Sequence, residues 1–373
     1  MKTALIYTDD FLKYDYGPTH PFKMIRLKLT YELIKSYGLF GEGSDYLQPK
    51  PAVDADILTF HTQDYLNVLK NVDAGTAGQN AFDYGLGFGD NPMFKGVYEG
   101  SMLSCGGSIM AARLVEKGEY DAVFNIAGGL HHALKSRASG FCYLNDPVVA
   151  IYDLLNKGKR VVYIDIDAHH GDGVQSAFYN SDKVMTISFH ENGRFLFPGT
   201  GYVEDIGIGI GKGFSVNVSF LPDTTDDIYE GAFDEIVPPL VASFKPDVIV
   251  AQLGADSLQN DPLSHLMLSN LCFGDIVRKI KGFNVPIVAL GGGGYDVVNV
   301  YRAWTLAYSI LSDKDVPDEL PNDFKKFAKT KGYPADFLRD ATKTVSTNND
   351  NLSFVKKEIE YFKKNLFPIH GII

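Results

Sequence analysis

Runs of apolar, β-branched residues recur along the chain, and between them apolar residues return every three or four positions. These are the period-two and period-3.6 signals of strands and helices in turn. Short buried strands are predicted at residues 3–7, 122–127, 161–169, 184–189, 215–218, 247–253 and 286–290. His20-Pro21 opens a predicted helix with Phe22, Ile25, Leu29, Leu33 and Tyr37 at helical spacing, and Gly38 stops it. A second helix covers residues 101–117 and ends at Gly118. A third starts with Asp146 as N-cap and Pro147 at the first helical position, and closes at Gly158. Residues 226–243 and 270–282 carry two more helical patterns. Residues 50–65 hold a short extended piece and another helix start, and residues 73–92 are glycine-rich, aperiodic and read as a long functional loop. The tail, residues 313–373, is charged and helical in pattern.

Alternation of this kind makes an α/β fold, a parallel sheet with helices on both faces. A chain of 373 residues suits two average domains or one large one, and without a repeat or a low-complexity linker a single domain over 1–373 is expected. Hydrophobic residues at 45% and charged ones at 22% mark a globular protein, neither disordered nor fibrous. No apolar run approaches a membrane span. The first apolar stretch is too short for a signal peptide and turns acidic at Asp9-Asp10, so a cytoplasmic protein is expected. Cys105, Cys142 and Cys272 are odd in number and widely spaced, which fits reduced thiols. A net charge of −11 argues against a nucleic-acid partner and suits cationic ligands such as lysine side chains or polyamines, although solubility alone would explain it.

Polar clusters fall just after five of the strands, at residues 128–132, 165–172, 188–192, 254–256 and 291–295. Open α/β sheets bind ligands beyond the carboxyl ends of their strands, so all five belong to one rim. If residues 161–169 are extended, Asp165, Asp167 and His169 share one face, with Ile164, Ile166 and Ala168 on the other. Two carboxylates and an imidazole converging there demand a cation or a hydrogen-bond network to offset their desolvation. Asp167, His169 and Asp256 would fill three positions of a tetrahedral site and leave the fourth to water, the layout of a catalytic zinc, and this donor set also admits iron(II), cobalt or manganese. An aspartate at a strand end is also a common turn residue or helix cap, and Asp256 alone would read equally well that way. The tandem His131-His132 suggests acid–base chemistry, with Asp165 and Asp172 as orienting partners. Gly291-Gly292-Gly293-Gly294-Tyr295 lacks the signature of a phosphate-binding loop, and its tyrosine can aim a hydroxyl at an oxyanion.

Together these residues resemble the histone deacetylase family, class I enzymes and bacterial relatives such as the acetoin-utilisation proteins. The matching stretches are Gly128-Gly129-Leu130-His131-His132-Ala133, Ser139-Gly140-Phe141-Cys142-Tyr143-Leu144-Asn145-Asp146, residues 165–173, Phe197-Pro198-Gly199-Thr200-Gly201, Gln252-Leu253-Gly254-Ala255-Asp256-Ser257-Leu258 and Gly291 to Tyr295. They run in order across residues 14–308 and leave the C-terminal tail outside. The resemblance implies the arginase/deacetylase fold and hydrolysis of acetyl-lysine (acyl-lysine) amides in proteins or peptides. It implies zinc on Asp167, His169 and Asp256, an oxyanion donor in Tyr295, a base and then acid in His132 paired with Asp172, and an electrostatic partner in His131 paired with Asp165. It further implies a substrate channel walled by Phe141 and Phe197 with Gly140 at its side, Leu263 at its rim and Asp90 near the family's rim aspartate. Arg26 would lie on an internal acetate channel. Potassium would bind Asp165 with backbone oxygens of Asp167, His169, Ser188 and Phe189, and at a second site Phe178, Ser181, Val184 and Phe214.

Three other readings compete. A two-metal ureohydrolase shares the Asp-Ala-His-His run but needs a second carboxylate where Ser257 and Leu258 follow Asp256. An acetylpolyamine hydrolase would place an acidic gatekeeper where Leu263 stands. A non-catalytic acyl-lysine scaffold predicts loss of one of Asp167, His169, Asp256, His132 or Tyr295, and all are present. The compact chain suggests a bacterial source, while the physiological substrate, acyl length and oligomeric state are left open.

Overall fold

Strands that are joined through helices pair in parallel, and the whole sheet obeys this rule. The structure, a computed structural model, describes residues 1–87, 89–346 and 348–372. Its eight strands are β1 (Thr3–Ile6), β2 (Ser44–Leu47), β3 (Ala122–Asn125), β4 (Val161–Asp165), β5 (Val184–Glu191), β6 (Ser215–Phe220), β7 (Val248–Gln252) and β8 (Ile287–Leu290). They lie side by side in the order β2-β1-β3-β8-β7-β4-β5-β6. The helices are α1 (Ile25–Ser36), α2 (Asp54–Ile57), α3 (Gln63–Asp73), α4 (Val97–Glu116), α5 (Asp146–Leu155), α6 (Asp172–Phe178), α7 (Asp226–Phe244), α8 (Asn270–Gly282), α9 (Val297–Leu311), α10 (Asn322–Thr330) and α11 (Asn349–Asn365). Among the described residues no helix is long and apolar enough to cross a membrane.

Because both faces are covered, the central strands β1, β3, β4, β7 and β8 are near-continuous apolar runs, whereas β6 at one edge alternates Ser215, Asn217 and Ser219 with apolar residues and β2 at the other is largely polar. Leu5, Phe124, Ile164, Ile187 and Ile249 point into one core, with α1 and α7 to α11 packed over it. Ala4, Val123, Val161, Tyr163, Val250 and Val288 point into the other, under α3 to α6. Each fully buried aliphatic side chain contributes about 1.5–3 kcal/mol, so the strand order is held by the two cores together. Trp304 of α9 is fully buried and donates Nε1–H to the Leu253 carbonyl at 2.7 Å, tying a helix to the end of β7.

The elements differ from the sequence expectation in instructive places. The first helix begins at Ile25 rather than at His20-Pro21. Residues 20–24 instead form a turn in which the His20 ring accepts the Phe22 N–H at Nδ1 (3.1 Å) and meets the Asp90 carbonyl at Nε2 (3.2 Å). The cap of α5 is Asn145, whose side chain accepts from the Val148 N–H, and Asp146 lies inside the first turn. Part of the long loop, Gln79–Tyr84, is a 3-10 helix. The edge strand β2 and the short α6 carry too few apolar positions for a periodic signal. In the tail, Phe324, Val355, Ile359 and Phe362 join the first core. The buried Glu358 of α11 accepts from both the N–H and the hydroxyl of Ser219 on β6, at 2.7 and 2.8 Å.

Candidate active site and metal centre

The centre of the site is a strand that stops because its own carboxylates interrupt it. Ile166 N–H still donates to the Gln252 carbonyl at 3.1 Å, continuing the pairing of β4 with β7. Thereafter side chains take the backbone donors. Asp165 Oδ1 accepts from Asp167 N–H (3.1 Å), Asp167 Oδ1 from His169 N–H (3.0 Å), and Asp256 Oδ1 from Ala168 N–H (2.8 Å). Aspartates that accept from a backbone two residues on make turns, so β4 ends at Asp165 and not at His169 as the period-two reading expects.

This turn brings the candidate ligands together. One donor atom each from Asp167, His169 and Asp256 lies within 4.8 Å of the others. His169 Nδ1 stands 3.1 Å from Asp167 Oδ1 and 3.0 Å from Asp256 Oδ2. All three residues are buried, and burial followed by the charge of Asp167 pushes the Asp256 carboxyl well above the usual carboxylate range. Two buried carboxylates with an imidazole aimed between them suit a divalent cation. The cradle is shaped for them, since a Cβ at Gly293 would lie 2.0 Å from Asp256 Oδ2. Glycine there lets the Gly293 N–H reach Asp167 Oδ2 at 2.8 Å, where Gln252 Nε2 also donates at 2.8 Å. The residues present therefore fit a metal ion of the zinc class.

His131 and His132 follow β3 and face this cluster. His131 Nδ1 lies 2.7 Å from Asp165 Oδ2, which also accepts from the Tyr163 hydroxyl at 2.6 Å. His132 Nδ1 lies 2.7 Å from Asp172 Oδ1, and the two Nε2 atoms converge to 3.0 Å. Both orienting partnerships expected from the sequence are thus formed. Their environments push the pair apart. Burial, then the charge of His131, lowers His132 to about 4. His131 is raised to about 9, because Asp165 and Asp167 together outweigh its burial.

The predicted channel residues gather above this centre. The Phe197 ring stands 5.0 Å from that of His132, and Phe141 stands 5.6 Å from Tyr295, both nearly perpendicular. Gly140, at φ +49°, passes so close that a Cβ would meet His132 at 2.5 Å and Phe197 at 2.8 Å. Tyr295 sits with its ring 6.3 Å from that of His169. Leu263 is half-buried, and Asp90 is exposed, its carbonyl meeting the His20 ring, which stands 4.6 Å from that of Phe141. Arg26 is buried beneath, its guanidinium 4.0 Å from the Phe22 ring and its Nη1 donating to the Gly294 carbonyl at 2.9 Å. Arg26 Nε has no partner among the described residues.

The residues proposed for potassium fall in two places. Ser188 pairs in register with Asp165, next to Phe189 on β5. Phe178, Ser181 and Val184 bracket the turn from α6 to β5. There the Phe178 carbonyl accepts from Ser181 N–H at 3.0 Å, and that of Phe214 accepts from Thr186 N–H at 2.9 Å.

Several supporting residues escape the sequence reading. Asn145 Nδ2 donates to the carbonyls of His131 and Ala133 (3.0 and 2.9 Å), and Asp146 accepts from the N–H groups of Gly129 and Leu130 (3.0 and 2.8 Å). The start of α5 therefore fixes the backbone of the histidine pair. Gln252 and the Tyr163 hydroxyl likewise donate to Asp167 Oδ2 and Asp165 Oδ2. Only their positions next to the polar motifs hint at this, because the contacts join segments far apart in the chain.

A sequence profile of the histone deacetylase domain matches residues 20–311. Type-1 histone deacetylase 1 of Dictyostelium discoideum is 40% identical over 363 residues, covering 95% of this chain and 71% of its own length. Histone deacetylase 1 of Homo sapiens is 38% identical over 371 residues, 98% of this chain and 75% of its own, an alignment that extends into the tail. Among solved structures, a histone deacetylase homologue from Aquifex aeolicus superposes with a TM-score of 0.90 at 36% identity, covering 96% of this chain and 99% of that one. A further structure of such a homologue, with the same score and coverage, is complexed with SAHA.

Proposed function

The chain belongs to the histone deacetylase family, and on that footing we propose that it hydrolyses acyl-lysine amides in proteins or peptides as a metal-dependent lysine deacetylase. The observation that carries this reading is convergence. The Asp167–His169–Asp256 donors, the two imidazole Nε2 atoms and the Tyr295 ring lie together beside the rings of Phe141 and Phe197.

Asp167, His169 and Asp256 would hold zinc, or iron(II). When bound, such an ion supplies Lewis acidity toward water and the amide carbonyl. Phe141 and Phe197 clasp the apolar methylenes of the lysine and exclude water from the reacting bond. His132, held neutral by its burial, takes the proton of the attacking water at Nε2 and returns it to the departing lysine amine. Asp172 keeps the His132 Nδ1–H in place, which fixes the tautomer that leaves Nε2 free to accept. His131, paired with Asp165, contributes positive charge beside the developing oxyanion, and the Tyr295 hydroxyl donates a hydrogen bond to it.

Arg26 supplies a buried cation along the path by which acetate leaves. A cavity of about 40 Å³ lies nearby, lined by Phe22, against which the Arg26 guanidinium stacks, and by Met24, Leu130 and Tyr143 among others. Asp90 and Leu263 meet the substrate outside the channel. Potassium at the Asp165 and Phe178 sites would be structural, and the protein would act in the cytoplasm.

The test is release of acetate and longer acyl groups from a panel of acyl-lysine peptides and N-acetylated polyamines, with zinc-loaded enzyme and a chelated control. Chelator-sensitive turnover of peptides is expected. Turnover of polyamines alone would move the function to small-molecule metabolism, and none at all with zinc bound would leave a binding scaffold.

A further inference from the structure

One buried carboxylate in the site has no part in that chemistry. Asp261 is 6% exposed and lies between Asp256 and the rim. Backbone N–H groups meet it on two sides. Its Oδ2 accepts from Tyr295 at 2.7 Å and from Asp296 at 3.2 Å, and its Oδ1 accepts from Leu263 at 2.9 Å. Asn260, at φ +70°, makes the turn that precedes it.

Tyr295 needs such an anchor. It follows four glycines, two of them at φ +139° and +127°, and glycine backbones are the costliest to order. The helix after it begins only at Val297. Its ring is packed against Phe141 and Phe22, which restrict the side chain but leave the backbone that carries it to be fixed separately. Hydrogen bonds provide that fixing, from Arg26 to the Gly294 carbonyl and from the Tyr295 and Asp296 N–H groups to Asp261. The same carboxylate holds the N–H of rim residue Leu263.

We propose that Asp261 is a positioning residue: one carboxylate sets both the backbone from which the Tyr295 hydroxyl reaches the reacting oxygen and the loop that forms the channel rim. The proposal rests on Tyr295 acting as the oxyanion donor. Asp261→Asn keeps the shape but leaves a single accepting oxygen for two opposed sets of donors, so one side of the clamp must open. Asp261→Ala opens both.

The experiment is a double-mutant cycle on the zinc-loaded enzyme with the best acyl-lysine peptide of the panel, following kcat, KM, zinc content and Tm. Tyr295→Phe alone is expected to lower kcat about 10²- to 10³-fold. Asp261→Asn is expected to lower kcat about 10- to 50-fold with zinc content unchanged, since small misplacement of a reacting group has large effects. In the Tyr295→Phe background the same change should cost less than about threefold, because the group it positions is gone. Equal losses in both backgrounds, or loss of zinc from Asp261→Asn, would overturn the proposal. An unchanged kcat in the Tyr295→Phe single variant would instead overturn the role of Tyr295, and shows itself before the cycle is closed. Asp261→Asn, being nearly isosteric, carries the test if Asp261→Ala does not fold.

Discussion

His132 lies between opposed influences, and its behaviour with pH follows from their balance. Burial and the neighbouring charge of His131 hold it down to about 4, while Asp165 and Asp167 hold His131 up to about 9. Between those values His131 carries the proton and His132 is free to accept one. As a base, His132 fails once it is protonated, so kcat/KM should fall as the pH drops toward 4. Above about 9, His131 loses the proton that balances Asp165, and the rate should fall again. A kcat/KM profile measured from pH 4 to 10 checks both limbs, and a flat acid limb would remove His132 from the role of base. His132→Ala should abolish turnover, a loss on the order of 10²–10⁴-fold. Hydroxamate binding should survive the change, since the metal donors are untouched, and surviving turnover would contradict the assignment.

Among the elements, the strands that carry the site were the most legible part of the chain. Apolar β-branched runs ending in polar clusters located β3, β4, β5, β7 and β8, and the clusters pointed to one rim because parallel strands share a carboxyl end. What escaped was set by contacts distant in sequence. β2 is short and polar at the sheet edge, β4 ends early because carboxylates replace its ladder, and His20 leaves the helical pattern to bridge Asp90 and Phe141. The tail showed only a helical pattern, yet α11 places Glu358 beneath the loop that carries Phe197. Asn192 Nδ2 donates to the same Ser219 hydroxyl, at 2.9 Å, that Glu358 accepts from. Burial raises Glu358 from 4.5 to about 7. The folded state therefore binds this proton more tightly than the unfolded chain does. Its contribution is complete below about 4.5 and is lost as pH rises through about 7, a change of roughly 3 kcal/mol. Hydrogen exchange in α11, corrected for intrinsic rates, should be faster at pH 8 than at pH 5, and Glu358→Gln should flatten the difference. Equal protection at both pH values would show that the carboxyl does not govern the docking of this helix.

At the scale of the whole molecule, a metal bound at these donors would couple chemistry to stability. Asp167, His169 and Asp256 hang from the ends of two neighbouring strands, so an ion held between them would brace the middle of the sheet. Zinc at a hundredfold excess over its Kd would add about 2.7 kcal/mol of stability, or roughly 3–4 °C in Tm. Chelation should lower Tm by that amount, re-addition of zinc should restore it, and a Tm indifferent to both would argue against a metal at this site. The strand order also sets when the centre can exist at all. The last two strands to be synthesised, β7 and β8, are the ones that fill the middle, between β3 and β4. A ribosome adding about 5–20 residues per second needs roughly 6–25 s to travel from β4 to the end of β8. Until β7 and β8 are made, β3 on one side and β4 on the other have an unpaired edge facing the gap between them. The histidine pair hangs from β3 on one side, and the candidate ligands Asp167 and His169 from β4 on the other. The site cannot close until β7 brings Asp256 beside Asp167 and His169, so it is completed late in biosynthesis.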